Sequence, residues 1–240
     1  MATRQQNRTS GFTFKPFSLK QTQVMTWWTD GSAVHDADGI IADGAIRSGK
    51  TLSMSLSFVL WAMNAYNDGL FIMCGKTIAS FRRNVLYWLV QMLVTCGYNV
   101  HERRGDNLFT VSKGDKMNTF HIFGGQDEGS QDLVQGLTAA GAFFDEVALM
   151  PESFVNQATG RCSVEGSKLW FNCNPQMPTH WFKEQWIDRG EEQRIPTAAF
   201  WLLSQLHRSR FHVIHRGDQG HRAQCGEDSD GIVAAESAAQ

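Results

Sequence analysis

The sequence predicts an α/β fold in which a mostly parallel central sheet is flanked by helices. Five short segments, 39–43, 70–74, 120–123, 142–144 and 168–172, are apolar at successive positions, as strands buried on both faces are. Between them Leu52, Leu56, Val59, Leu60 and Met63, and then Phe81, Val85, Trp88, Leu89 and Met92, recur at helical spacing. Strands and helices that alternate in this way build a sheet covered on both sides. The stretch 98–111 instead alternates around Arg104-Gly105-Asp106-Asn107, the pattern of a β-hairpin added at the sheet edge.

The chain has 240 residues and 42% hydrophobic content, enough to fill an ordinary core. With 22 Lys plus Arg against 24 Asp plus Glu, its formal charge is −2, so any nucleic-acid contact has to be local. Arg82, Arg83, Arg103, Arg104 and Lys113 are the candidates for backbone contacts. The longest apolar run, 52–63, is broken by three serines and falls short of the roughly 20 residues a membrane span needs. No apolar stretch of a secretory signal follows Met1, so the expectation is a protein that stays inside the cell. The 5 cysteines are scattered without a Cys-x-x-Cys pair, which argues against a disulfide framework or a zinc ribbon.

The first strand runs into Gly44-Ala45-Ile46-Arg47-Ser48-Gly49-Lys50-Thr51, which satisfies G-x-x-x-x-G-K-[ST], and a helical pattern begins at once behind it. Glycine at both ends lets the backbone curl around a phosphate, and the loop N–H groups with the helix N-terminus supply positive potential. Lys50 is placed to reach the β- and γ-phosphates, Thr51 to hold Mg²⁺, and Arg47 to spread transition-state charge. Downstream, Ala142-Phe143-Phe144 ends in Asp145 and Glu146. Asp145 then serves as the Mg²⁺ ligand, and Glu146 orients and deprotonates the attacking water. A base at this position favours ATP hydrolysis over the phosphoryl transfer of a nucleotide kinase, which must exclude water. A GTPase would need a guanine-reading Asn/Thr-Lys-x-Asp after the acidic pair, and the nearest string, Ser112-Lys113-Gly114-Asp115, starts wrongly and precedes it.

The order of these strings, with Gly124-Gly125-Gln126-Asp127-Glu128, Gln135-Gly136-Leu137-Thr138 and FFDEVALMPESFVNQATGRCSVEGSKLWFNCNP, resembles the large terminase subunit of tailed bacteriophages, in the branch found on many prophages. The resemblance covers about residues 12–188. It implies a RecA-like P-loop ATPase that, in a homo-oligomeric ring on the capsid portal protein, packages double-stranded viral DNA into proheads with ATP and Mg²⁺. It further implies a small terminase subunit as partner, no membrane, and a place in the host cytoplasm, transiently at the prohead portal and not in the mature virion. Residue by residue, Gly44 to Thr51 match its Walker A loop with Arg47 as the cis arginine, and Asp145 and Glu146 match its Walker B ligand and base. Gln21, in Phe17-Ser18-Leu19-Lys20-Gln21, matches the adenine-reading glutamine, and Asn172 and Asn174, in Asn172-Cys173-Asn174-Pro175, match the coupling segment that senses the γ-phosphate.

The family's acidic-cluster nuclease domain is not recognisable. The last 51 residues contain no lysine, five arginines and four of the 8 histidines, without helical or strand period, and poor order is expected beyond about Phe211. The expected organisation is a flexible 1–11, an ATPase domain at 12–189, and an irregular tail at 190–240 that is out of frame or, alternatively, the end of a split terminase. His180 to Trp186 reads as a packing helix that closes the domain. The rival readings of function are a helicase-like translocase and an inactive prophage remnant that binds ATP without packaging DNA.

Overall fold

The computed structural model describes residues 16–43, 49–174 and 179–188, and the backbone of 211–214. Its sheet has eight strands: β1 (Gly39–Asp43), β2 (Leu70–Gly75), β3 (Asn99–Arg103), β4 (Leu108–Lys113), β5 (Lys116–Gly124), β6 (Gly141–Phe144), β7 (Lys168–Cys173) and β8 (Phe211–Ile214). Their order is β3-β4-β5-β2-β6-β7-β1-β8. From β5 to β8 every neighbouring pair is parallel, while β3 and β4 form an antiparallel hairpin on the β5 edge. All five expected strands and the edge hairpin are present. Of the tail expected at 190–240, only the backbone of 211–214 is described, and it forms β8, paired with Gly39 to Ala42. A run of four residues in an Arg- and His-rich stretch is too short to show a period, and it takes its conformation from the open edge of β1.

The helices are α1 (Leu19–Thr26), α2 (Lys50–Ala65), α3 (Ile78–Phe81), α4 (Tyr87–Thr95) and α5 (Glu152–Gly160). Because strand side chains alternate, each central strand feeds two cores. Ile40, Phe71, Met73, Phe120, Phe143 and Trp170 pack under α1, α2 and α4. Ile41, Ile72, Phe144, Phe171 and Cys173 pack under α5 and the 181–188 segment, where Phe182 and Ile187 are buried. That segment is the closing helix expected from His180 to Trp186, with a π turn at Lys183–Ile187. The serines that interrupt the α2 run are tolerated because each hydroxyl finds a carbonyl: Ser53 bonds Gly49 at 2.9 Å, Ser55 bonds Leu52 at 3.2 Å, and Ser57 bonds Met25 at 3.2 Å. Ser57 also accepts the Trp170 indole N–H at 3.2 Å, which ties α1, α2 and β7 together.

A π turn at Arg82–Leu86 separates α3 from α4. One extra residue per turn shifts the helical phase, so Val85, Leu89 and Met92 remain buried while Trp88, expected on the same face, is 45% exposed. Tyr87 beside it is 57% exposed, and the two rings pack edge to face at 5.0 Å. Among the described residues no helix is long and apolar enough to cross a membrane.

Candidate functional site

In an open parallel sheet, ligands bind beyond the carboxyl ends of the strands. Here β7 lies between β1 and β6. Phe144 pairs with Phe171, and Ala42 with Asn172, so Asp145 and Asn172 come level just past the last pair. Alternation turns both toward the α2 face, where Thr51 occupies the first turn of α2. The three side chains meet. Thr51 Oγ1 donates to Asp145 Oδ1 at 3.0 Å, and Asn172 Nδ2 donates to Asp145 Oδ1 at 2.6 Å and lies 2.9 Å from Thr51 Oγ1.

Burial pushes the Asp145 carboxyl above the usual carboxylate range; the bonds from Asn172 and Thr51 pull it down, the Glu146 charge raises it, and Lys50 lowers it. A carboxyl raised in the folded state binds a proton more readily folded than unfolded. Its ionised form therefore costs stability above that raised pKa, and the cost disappears as pH falls through it. In metal-free buffer Asp145→Asn, which keeps shape and acceptor oxygen, is expected to melt higher than wild type at neutral pH. Thermal melts across a pH series should show the gap closing toward acid.

Glu146 follows at once but does not continue the strand. Its backbone is left-handed, at φ 56° and ψ 47°, and it opens a 3₁₀ turn at Val147–Leu149. A non-glycine residue holds that conformation only where its surroundings enforce it. Buried Val147 anchors the turn, and the Glu146 carboxylate is left exposed at the rim of a cleft of about 360 Å³. Gly49, Lys50, Thr51, Glu146, Leu149, Asn172, Cys173 and Asn174 line that cleft. Asn84, Val85 and Trp88, from the π turn and α4, line it as well. Burial, with the Asp43 carboxylate nearby, pushes the Cys173 thiol up, so it stays neutral in the cleft.

Of the expected phosphate loop, Gly44, Ala45, Ile46, Arg47 and Ser48 lie outside the described residues, as does Pro175. Gly49, Lys50 and Thr51 are described, with Gly49 at φ 79°. A Cβ at Gly49 would press on the Gln21 amide, the end of a flexible side chain that can move aside, so it is the positive φ that asks for glycine here. That contact brings Gln21, expected to read adenine, against the loop. Ser18 and Gln21 form a capping box at the start of α1: the Ser18 N–H donates to Gln21 Oε1 at 2.9 Å, and the Gln21 N–H to Ser18 Oγ at 3.3 Å. One face of Gln21 is therefore committed to holding α1 in place.

The residues expected to contact a nucleic-acid backbone are engaged with neighbouring groups. Arg82 is held in the β3–β4 hairpin by Glu102 at 3.2 Å, the Asn107 amide at 3.3 Å and the Arg104 carbonyl at 3.4 Å. Arg103 pairs with Asp106 at 3.0 Å, and Arg104 with Glu102 at 3.4 Å. Arg83 bonds Asn84, and Lys113 sits 4.6 Å from the centre of the Tyr98 ring. Sequence reasoning missed the cleft wall made by Asn84 and Trp88, and it also missed Lys76, whose ammonium donates to the Leu149 carbonyl at 2.8 Å and to the Gln126 carbonyl at 3.3 Å.

Among the described residues no group of three His, Cys, Asp or Glu can hold a metal ion. The donor set that is present, one hydroxyl and one carboxylate, suits Mg²⁺, which keeps several waters and takes its remaining ligands from phosphate oxygens. The fit is by chemistry: hard oxygens, adjacent, at the mouth of a phosphate-type loop.

No curated protein matches the chain. Among solved structures, the large terminase of a thermophilic bacteriophage is 53% identical, with a TM-score of 0.74, over 84% of this chain and 46% of that one. The same phage protein in complex with ADP is 52% identical, also at a TM-score of 0.74, over 83% of this chain and 45% of that one. The ATPase domain of the Thermus phage P74-26 large terminase superposes with a TM-score of 0.55 at 18% identity, covering 84% of this chain and 81% of that one, and so supports the RecA-like α/β fold alone. The present chain thus spans less than half the length of the thermophilic-phage chains it matches. The family model described as terminase large subunit, T4likevirus-type, N-terminal, matches residues 41–216, past the composition change at Arg189 and through β8. With that match and the 53% identity to the thermophilic-phage enzyme together, the chain belongs to the terminase large-subunit family.

Proposed function

We propose that the chain is the ATP-hydrolysing motor part of a phage terminase, working on double-stranded viral DNA at the prohead portal. The observation that carries the reading is the Thr51–Asp145–Asn172 cluster beside the exposed, left-handed Glu146, at the carboxyl ends of three parallel strands and the start of α2. The ADP and ATP-γ-S complexes of the thermophilic-phage relative support nucleotide binding.

In this reading Gly44 to Thr51 wrap the phosphates, and Lys50 and Arg47 neutralise charge on the β- and γ-groups. Thr51 and Asp145 hold Mg²⁺, which when bound polarises the phosphate oxygens. Asn172 keeps the Thr51 hydroxyl and the Asp145 carboxylate aligned, and with Asn174 it lies where it can sense the γ-phosphate. Glu146 orients the attacking water and takes its proton. Gln21 contributes to adenine recognition from the end of α1. The portal protein, the small terminase subunit and neighbouring copies in a ring are the partners of this reading, and the host cytoplasm is its place. We put the end of the motor domain just past β8 and not at 189, because the family match runs to residue 216.

The test is steady-state ATP hydrolysis by the purified chain, with and without double-stranded DNA. Turnover that needs Mg²⁺ and rises with DNA supports the motor. Tight Mg-ATP binding without turnover, in the presence or absence of DNA, favours the inactive remnant instead.

A further inference from the structure

The Glu146 backbone is strained, and a catalytic residue at the start of a strained turn needs something to hold that turn. Within the turn, the Leu149 N–H bonds the Glu146 carbonyl at 2.9 Å and the Met150 N–H bonds the Val147 carbonyl at 3.0 Å. These bonds close the 3₁₀ turn, and buried Val147 anchors its start, while Leu149 at its end is exposed. The hold on that end comes from outside.

β2 lies between β5 and β6, so the residue that follows β2 stands between the loops that follow its two neighbours. The Asp145 N–H bonds the Cys74 carbonyl at 2.8 Å, and the Gly125 N–H bonds the Gly75 carbonyl at 2.9 Å, which keeps both loops in register with the end of β2. Lys76 is the next residue. Its ammonium reaches the Leu149 carbonyl, the last of the turn that Glu146 opens, and the Gln126 carbonyl in the loop after β5. A charged donor shared between two backbone carbonyls makes bonds stronger than neutral ones, and here it spans two loops that no strand pairing joins.

We infer that Lys76 is a positioning residue for the catalytic base: by holding the Leu149 carbonyl it fixes the 3₁₀ turn, and through the turn it fixes the direction of the Glu146 carboxylate. Lys76 touches neither phosphate nor water in this role. The inference rests on Glu146 being the base.

The experiment compares ATP hydrolysis by wild type, Lys76→Met, Lys76→Arg and Glu146→Gln with and without DNA, with nucleotide affinity measured alongside. Methionine keeps the apolar stem and removes the donors; arginine restores donors of similar reach. Loosening a base by a fraction of an ångström lowers the chemical step, so kcat of Lys76→Met should fall about tenfold or more. Its KM for ATP should stay within about twofold, because ground-state binding is untouched. Lys76→Arg should recover most of the loss. Wild-type kcat in Lys76→Met, or a defect that arginine does not relieve, overturns the inference. So does a defect seen only when DNA is present, which would make Lys76 a nucleic-acid contact. If Lys76→Met fails to fold, Lys76→Gln, able to reach one carbonyl, should give an intermediate kcat at unchanged KM, and wild-type kcat there is equally fatal. Turnover retained by Glu146→Gln is a separate failure, that of the base assignment itself.

Discussion

Glu146→Gln is expected to lower the steady-state rate of ATP hydrolysis by about 10²–10⁴-fold, the range that a general base contributes. The substitution is close to isosteric, and glutamine is no better suited than glutamate to the left-handed backbone at φ 56°, so the turn at Val147–Leu149 and the melting temperature should be little changed. What changes is that an amide cannot accept the proton of an attacking water. Asp145, Thr51 and Asn172 keep their mutual bonds, so Mg-ATP affinity should stay within about a factor of three of wild type, a change of under 1 kcal/mol. Turnover measured beside equilibrium binding separates the two effects. A rate that survives the substitution places the base elsewhere.

Phe58→Ala should have the largest effect on stability, about 3–5 kcal/mol. Phe58 is fully buried at the middle of α2, and its ring meets Trp61, Phe71, Phe120, Phe143 and Trp170 at centroid distances from 5.1 to 6.2 Å. These neighbours come from one helix and four strands, so no single element can move inward to fill the void. For a domain of this size the loss should lower the melting temperature by about 6–20 °C. Differential scanning calorimetry checks it, with Phe58→Leu as the milder control. Because α2 carries Lys50 and Thr51 at its start, nucleotide should recover part of the lost stability by mass action.

The parts of the site that sequence makes plain are those whose chemistry is local. Lys50 and Thr51 sit in a string that loop geometry demands, and Asp145 and Glu146 end an apolar strand, so spacing and residue type are enough. Asn172 is legible at lower resolution: an amide at a strand end suggests a ligand, but only the strand order reveals that β7 runs between β1 and β6 and sets Asn172 against both Asp145 and Thr51. Lys76 carries no such signal, because its partners are backbone carbonyls, which every residue has. Trp88 misled for another reason. Its spacing from Phe81 and Val85 is helical, and nothing in the string Arg82-Arg83-Asn84-Val85-Leu86 announces the π turn that rotates it out to the cleft. β8 escaped because four residues show no period, and an edge position asks little of a strand beyond being extended.

The pairing of 211–214 with β1 bears on how this protein can be cut. β1 delivers the phosphate loop, and with β8 in place it is an interior strand. A polypeptide ended at Arg189 would leave the edge of β1 that faces away from β7 without its partner, the kind of surface along which chains stick to one another. Shortened versions that aggregate would then report a missing strand and say nothing against the motor, so a boundary beyond residue 214 is where the ATPase can be separated cleanly from the remainder of the polypeptide.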